Sequence, residues 1–251
     1  MRVVLTRAVH EAERWSERLH ERGIEAIVLP LLAIGAAPDQ AALRAAAQRA
    51  DDYAAVMFVS ANAVQAFLAA QPVFARARAW APGPATQEAL RAAGVDDARI
   101  AAPALDAVQF DSEALWQQVG GQVHAGDRIL VVRGGDGAGR AQGRGWLLQQ
   151  LAEHGVAADT VVAYTRTSPR WNDAQRAAAQ AAAGDGSLWL FSSAEAAGYL
   201  ASLVPEQDWS RARALATHPR IVHAVRALGF GMVRPSRPGW DDVLASIESS
   251  R

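Results

Sequence analysis

The sequence VMFVSANAVQAFLA, from Val56 to Ala69, decides the fold class of this chain. An apolar run typical of a buried strand ends at a serine and passes directly into an apolar segment with helical periodicity. The sequence LWLFSSAEAAGYLA, from Leu188 to Ala201, repeats the same order of residue types. Units in which a strand is followed at once by a helix are typical of parallel sheets, so we predict an α/β fold.

Strand-like and helical segments also alternate along most of the remaining chain. We expect a helix from Glu11 to Arg22 with Gly23 as its C-terminal cap, followed by extended chain from Ile24 to Ile34 that Pro30 interrupts. The predicted strands are residues 2–6, 55–59, 79–81, 129–132, 160–164, 188–191, 214–216 and 232–234.

Two further pairs of segments resemble each other, which indicates an internal duplication. RAWAPGPATQEALRAAGV from Arg78 matches RALATHPRIVHAVRALGF from Arg213, and RVVLTR from Arg2 matches RILVVR from Arg128. The repeated modules are residues 1–34 and 128–167 for the first kind, and 52–110 and 187–247 for the second. The chain is therefore predicted to be a duplicated α/β unit.

The modules allow two domain arrangements. Neighbouring modules form two domains in tandem, or the two middle modules form a domain that is inserted between the outer ones. Extended segments near residues 30–37 and 161–169 occupy equivalent places and are predicted linkers. In the inserted arrangement the chain crosses between domains twice, so these linkers can pair as a two-stranded ladder. The repeats by themselves favour neither arrangement.

The composition limits both architecture and chemistry. A chain of 251 residues with 51% hydrophobic residues is long enough for two domains with sizeable cores. There is no cysteine, and all 25 basic residues are arginine, which excludes thiolate nucleophiles, disulfides and lysine Schiff bases. The net charge of -1 argues against a nucleic-acid-binding surface. Without a stretch that resembles a membrane span or a signal peptide, we expect a cytoplasmic protein.

Several common kinds of site lack their sequence signature. The six histidines have no metal-ligand spacing, so no metal site is predicted. The glycine-rich stretch from Gly134 to Gly145 contains no G-x-G-x-x-G at the start of a helix, which argues against an NAD-dependent oxidoreductase. No G-x-S-x-G elbow supports a serine hydrolase.

Candidate binding residues lie where predicted strands run into helices. Free backbone N–H groups and the positive end of a helix dipole favour anions at such turns. Serine and threonine that merely cap helices are the alternative, but equivalent turns facing one cleft favour a large ligand with several negative groups. The candidate residues are Thr6, Arg7, Ser60, Ala61, Asn62, Gly83, Thr86, Arg133, Gly134, Arg144, Ser192, Ser193, His218 and Arg220.

Two other sequence features have both a functional and a structural interpretation. Tyr164 ends a predicted strand, and the inserted arrangement would place it over the cleft, although packing between domains explains it equally well. The glycine-rich loop contributes Arg140 or Arg144 to an acidic ligand, or it is a plain surface loop. These alternatives stay open on the residues alone.

The motifs LTR, VLPLLAI, FVSANAV, APGPAT, VVRG, VVAYTRT and LFSSAEA occur in this order from about Arg2 to Leu244, and together they resemble the uroporphyrinogen-III synthase family. The resemblance implies two similar flavodoxin-like or Rossmann-like parallel-sheet domains joined by a two-stranded linker. Domain 1 then consists of residues 1–34 and 168–251, and domain 2, residues 38–163, is inserted. It also implies a monomer without cofactor or metal, in transient contact with hydroxymethylbilane synthase.

The family's reaction supplies the expected function. Its members close the linear tetrapyrrole hydroxymethylbilane into uroporphyrinogen III in heme biosynthesis, with loss of water and inversion of the last ring, through an azafulvene and a spirocyclic pyrrolenine. The alternative is a non-catalytic two-domain sensor that closes on a small ligand.

The resemblance also suggests roles for individual residues. Tyr164 matches the family tyrosine proposed to assist departure of the hydroxyl group. Ser60 and Thr86 match hydroxyl positions of the inserted domain, and Ser192 with Ser193 match those of the other domain. Where many relatives have a Gly-Pro-Thr-Thr type of turn, this chain has HPRI at residues 218–221, so Arg220 is expected to bind a propionate instead.

Overall fold

The computed structural model describes residues 1–70, 74–104, 107, 109–141 and 145–250. The chain forms two compact units, of which unit 1 contains Met1–Ala33 and Thr167–Arg251 and unit 2 contains Ile34–Arg166. Each unit has one sheet with helices packed against it. The prediction of an α/β fold with parallel sheets is confirmed.

The described residues form strands and helices that alternate along most of the chain. In chain order they are β1 (Val3–Leu5), α1 (Val9–His20), β2 (Ala26–Val28), β3 (Ala33–Ala36), α2 (Gln40–Gln48), β4 (Ala55–Phe58), α3 (Ala61–Ala70), β5 (Arg78–Trp80), α4 (Pro84–Ala92), β6 (Ile100–Ala101), α5 (Ser112–Val119), β7 (Arg128–Gly135), α6 (Trp146–Glu153), β8 (Ala157–Thr167), α7 (Asp173–Ala182), β9 (Leu188–Phe191), α8 (Ala194–Leu203), β10 (Arg213–Ala216), α9 (Pro219–Ala227), β11 (Met232–Pro235) and α10 (Trp240–Glu248). No helix among the described residues is long and apolar enough to cross a membrane.

Unit 1 is built on a parallel sheet with the strand order β11-β10-β9-β1-β2. The early strand β1 lies between β9 and β2, with Val3 opposite Leu188 on one side and Ala26 on the other. One face of the sheet carries an aromatic cluster in which Trp209 stacks on Phe230, at 5.0 Å between ring centroids. Helices α1 and α10 cover the other face, where Leu19 and Ile247 are fully buried.

Unit 2 has the strand order β3-β8-β7-β4-β5-β6. The pairs from β8 to β6 are parallel, so the carboxyl ends of these strands lie at one edge of the sheet. The register between β7 and β8 shifts between Arg133 and Gly134, and Gly134 consequently lies opposite Tyr164. Shifts of this kind re-aim the side chains that follow them, and this one sets up the candidate site described below.

The predicted elements agree with the structure in type and differ mainly in their ends. Strand β9 has the predicted bounds, whereas β8 extends well beyond the predicted residues 160–164 at both ends. Helix α1 begins at Val9 and ends at His20, two residues earlier at each end than predicted. Strand β6 was missed because two residues are too few to show a periodicity. The extended segment from Ile24 to Ile34 contains β2 and the start of β3.

Candidate active site

The centre of the candidate site in unit 2 is a pair of hydroxyl groups. The phenol oxygen of Tyr164, near the end of β8, lies 2.9 Å from Oγ of Ser60, the second residue after β4. Oγ of Ser60 also accepts a hydrogen bond of 3.2 Å from the backbone N–H of Ala63 in the first turn of α3. Ser60 therefore caps helix α3 and holds the phenol of Tyr164 at the same time.

The ring of Tyr164 reaches Ser60 by lying over Gly134 on the strand between them. A Cβ atom at Gly134 would lie 2.7 Å from a ring carbon of Tyr164 and 2.9 Å from its phenol oxygen. Any side chain at this position would thus displace the ring. Gly134 was predicted as a binding residue at a strand end, and the structure shows that its lack of a side chain is what the ring of Tyr164 requires.

A cavity of about 490 Å³ lies beside Tyr164, within unit 2. Its walls come from β3, α2, α3 and β8, and they include the backbone of Gly35, the buried side chain of Leu43 and several alanines. Polar side chains on its lining are Gln40, Arg44, Asn62 and Gln65. Of these only Asn62 was predicted, because neither α2 nor the middle of α3 has a motif that would distinguish a pocket residue from a solvent-exposed one.

Two arginines, Arg133 and Arg166, lie near the carboxyl ends of β7 and β8. Arg133 is buried at the end of β7, and its burial lowers the pKa of its guanidinium. The positive charge of Arg166 on β8 lowers the pKa of Arg133 further. Arg133 was predicted as a binding residue, whereas Arg166 was missed.

The other predicted turn of unit 2 presents its backbone rather than a side chain. Gly83 is the N-cap of α4 and has no side chain to satisfy the first N–H groups, and Pro84 follows it. The side chain of Thr86 is buried, with only 4% of its surface exposed. Gly83 and the helix start, rather than the Thr86 hydroxyl, are therefore the accessible part of this turn.

The glycine-rich loop after β7 is organised by Asp136. Its carboxylate accepts hydrogen bonds from the backbone N–H groups of Ala138 and Arg140, and from Nε of Arg140, each at 2.9 Å. The backbone N–H of Arg140 is the main reason why the pKa of Asp136 lies below its ordinary value. Arg140 is thus bound to its own loop. Arg144, the other predicted loop residue, lies outside the described residues.

In unit 1 the predicted turns are formed by capping side chains. Oγ of Ser193 accepts a 3.2 Å hydrogen bond from the backbone N–H of Ala196, so Ser193 is the N-cap of α8. Nδ1 of His218 accepts a bond of the same length from the N–H of Arg220 and caps α9. Ser192 is partly exposed and Arg220 is exposed at these turns. Both remain accessible to a ligand of unit 1.

Thr6 and Arg7, the two residues after β1, differ in whether their side-chain donors have partners within the protein. Thr6 is buried, and its hydroxyl donates a 2.6 Å hydrogen bond to the carbonyl oxygen of Leu190. Contact between Thr6 and a ligand stays a prediction. Arg7 is also buried, pairs with Glu11, and lies over the ring of Trp15 at 4.2 Å. Within the described part of the chain, Nε of Arg7 has no hydrogen-bond partner. A buried donor of this kind favours contact with a ligand.

The described residues contain no group of three or more histidine, aspartate or glutamate side chains placed to hold a metal ion.

Comparison with known proteins identifies the family. The family model of uroporphyrinogen-III synthase HemD matches residues 13–245. A solved uroporphyrinogen-III synthetase from Helicobacter pylori is similar in fold, with a TM-score of 0.60 and 15% identity over 100% of both chains. A mutant uroporphyrinogen III synthase from Thermus thermophilus gives a TM-score of 0.57 and 15% identity over 100% of this chain and 98% of that one. No curated protein matches the chain.

The two solved structures show that the fold is shared over the whole chain, and the family model shows the relationship in sequence. Its match spans both units, including the strand ends that carry Ser60, Tyr164 and Ser192. The chain belongs to the uroporphyrinogen-III synthase family, cyclising lyases of heme biosynthesis that work without a cofactor.

Proposed function

We propose that Tyr164 is the catalytic residue with which this uroporphyrinogen-III synthase removes the hydroxyl group of hydroxymethylbilane. The observation that carries the proposal is the position of Tyr164, which lines a cavity and whose phenol oxygen lies 2.9 Å from Oγ of Ser60. A tyrosine hydroxyl held in place at a cavity wall is suited to donate a hydrogen bond or a proton to a leaving group.

The first step is the loss of water. The C–O bond of the terminal hydroxymethyl group breaks, and its electron pair leaves with the oxygen, which takes a proton from the Tyr164 phenol. Electrons from the pyrrole nitrogen form the exocyclic double bond, and the nitrogen gives up its proton, so that an azafulvene and water result. The N–H proton restores the phenol by way of solvent, which closes the proton balance.

The second step forms the ring. The azafulvene carbon is attacked by the substituted carbon of the last pyrrole, which gives a spirocyclic pyrrolenine. This intermediate fragments and closes again with the last ring inverted, yielding uroporphyrinogen III. The pyrroles supply the electrons, so the protein's contribution is to position the chain and to stabilise the charges that develop.

Ser60 is proposed to orient the phenol. Its Oγ already accepts the N–H of Ala63, and it can donate its own proton to the phenol oxygen of Tyr164. In that arrangement the phenol O–H remains directed away from Ser60 and available to the substrate. Ser60 thus acts through Tyr164 and does not need to touch the reacting atoms.

The turns at the strand ends are proposed to bind the substrate's carboxylates. In unit 2 these are the start of α3 with Ala61 and Asn62, the turn at Gly83, and Arg133. In unit 1 they are Arg7, Ser192, Ser193, and the turn from His218 to Arg220. Backbone N–H groups at helix starts suit carboxylates, and arginine suits them through its planar pair of donors.

The proposal also covers the location, the oligomeric state and the partner of the protein. We take the enzyme to be a cytoplasmic monomer that receives hydroxymethylbilane through transient contact with hydroxymethylbilane synthase. The lability of the substrate supports this view, because free hydroxymethylbilane closes spontaneously to the uninverted type I product. Light scattering of the purified chain tests whether it is a monomer, and light scattering of its mixture with that synthase tests the contact.

The decisive test is the porphyrinogen isomer that the protein makes from freshly prepared hydroxymethylbilane. We expect the type III isomer from the wild type, and a product with only the type I isomer would contradict the function. For Tyr164→Phe we expect kcat to fall by roughly 10²-fold with little change in KM, because the leaving group loses its proton donor.

The matched control is Tyr53→Phe. The phenol of Tyr53 donates a 2.8 Å hydrogen bond to Asp159 and does not line the cavity. This variant should retain the wild-type kcat. If Tyr164→Phe also retained it, Tyr164 would have no catalytic part.

A further inference from the structure

The cavity beside Tyr164 has the features of a subsite and not of a packing defect. It measures about 490 Å³, and small residues, among them Ala36, Ala66 and Ala69, form much of its lining. Ligand pockets in proteins start at about 300 Å³. A space of this size takes a single ring with its side arms, whereas a whole tetrapyrrole is too large for it.

The polar lining of the cavity favours an anion. Arg44 is its one charged lining residue, and three amide side chains, of Gln40, Asn62 and Gln65, complete the polar set. No aspartate or glutamate belongs to the lining. Across the residues that the structure describes, no carboxylate forms an ion pair with Arg44, in contrast to Arg49, which pairs with Asp52 at 3.0 Å. A guanidinium that has no internal partner at a pocket wall is suited to bind a carboxylate.

We propose that this cavity binds the substrate ring that bears the hydroxymethyl group, and that Arg44 binds a carboxylate arm of that ring. The inference rests on the proposed function of Tyr164, because Tyr164 forms one wall of the cavity. A ring seated there brings its leaving hydroxyl to the phenol. Arg44 is thus a determinant of binding and position, and Tyr164 remains the group that touches the reacting atoms.

The first experiment removes the positive charge of Arg44. Arg44→Gln should raise KM for hydroxymethylbilane by roughly tenfold, because a charge-assisted contact is lost, and should change kcat by no more than about twofold. Arg49→Gln makes the same change at the end of the same helix, outside the cavity, and should retain the wild-type KM. Both side chains are exposed, so neither change threatens the fold. A wild-type KM in Arg44→Gln would overturn the proposal.

The second experiment reduces the volume of the cavity. Ala69 is exposed on α3 and lines the cavity, so that Ala69→Leu fills part of the space without disturbing the core. It should raise KM in the same way. Ala45→Leu is the matched control, because Ala45 is exposed on α2 and does not line the cavity. Equal KM values for the two leucine variants would overturn the assignment of the cavity to the substrate.

A third measurement separates this inference from the proposed function. A monopyrrole with one acetate and one propionate arm should inhibit the wild type competitively, and should inhibit Arg44→Gln far less. If the wild type makes the type III isomer but Arg44→Gln has the wild-type KM and the same inhibition, only the cavity assignment fails. If the wild type makes only the type I isomer, the proposed function itself fails.

Discussion

Gly134 illustrates how much of the site depends on the absence of a side chain. The ring of Tyr164 lies over it, and the phenol then reaches Ser60 on the far side of β7. Tyr164 on β8 is joined in this way to Ser60 after β4, although β8 and β4 do not pair with each other. The contact requires a glycine on the intervening strand, together with the shift in register that places it opposite the tyrosine.

We predict that Gly134→Ala lowers both activity and stability. The new methyl group would lie 2.7 Å from a ring carbon of Tyr164, so that the ring must move and the bond to Ser60 is lost. Overpacking of this kind costs roughly 1–3 kcal/mol in the free energy of unfolding, and we expect kcat to fall at least tenfold. Denaturant unfolding and turnover measurements check the two effects.

Gly121→Ala is the control for Gly134→Ala. Nothing lies within 4 Å of the position that its Cβ would take, and Gly121 is exposed. Its free energy of unfolding and its kcat should remain those of the wild type. A Gly134→Ala variant that behaved in the same way would show that the ring of Tyr164 has room to move without loss.

At the scale of single elements, Asp51 fixes the start of β5. Its carboxylate accepts hydrogen bonds from three successive backbone N–H groups, those of Ala75, Arg76 and Ala77, at 2.9, 2.6 and 3.0 Å. Burial by itself would raise the pKa of Asp51, but the three donors outweigh it and hold the pKa below its ordinary value. The charged form of Asp51 therefore stabilises the folded state.

We predict that Asp51→Asn lowers the free energy of unfolding by roughly 1 kcal/mol near neutral pH. Because the pKa of Asp51 is lowered by folding, its contribution is complete above the pKa of the unfolded chain, about 3.9. It is lost as the pH falls through the lower pKa of the folded state. The difference between Asp51→Asn and the wild type should thus vanish in acid, which denaturant unfolding of both proteins at several pH values checks.

The elements that the sequence predicted well are those whose apolar runs are long and buried on both faces. Strand β9 was correct in both bounds because every residue from Leu188 to Phe191 is buried. Helix α2 and its pocket residues Gln40 and Arg44 were missed, since α2 lies between the repeated modules, residues 1–34 and 52–110, and belongs to neither of them. The bond between Tyr164 and Ser60 depends on a register shift, and side-chain patterns do not reveal register shifts.

At the scale of the whole molecule, the division of the chain is the main architectural feature. Unit 2 is one continuous segment, Ile34–Arg166, whereas unit 1 takes its strands from both sides of that segment. The predicted domain boundaries, residues 1–34 and 168–251 for domain 1 and 38–163 for domain 2, stay a prediction.

We predict that residues 34–166 fold by themselves, because they contain a complete sheet and its covering helices. Residues 167–251 should not, since they lack β1 and β2, and β9 would lose its neighbour along Leu188–Leu190. Circular dichroism and amide dispersion in NMR spectra of the two fragments check this. A cooperative unfolding transition in the fragment 167–251 would contradict it.

The place of β1 between β9 and β2 has a consequence for synthesis on the ribosome. Val3, Val4 and Leu5 emerge early, yet one side of their strand has no partner until Leu188 and its neighbours have been translated. Until then the nascent chain has an unpaired apolar strand edge, to which chaperones or other nascent chains can bind. The segment between β1 and β9 can complete its folding during the same interval. Codon substitutions that slow translation shortly before Leu188 should therefore reduce the yield of active enzyme more than codon substitutions that cause an equal delay before residue 34.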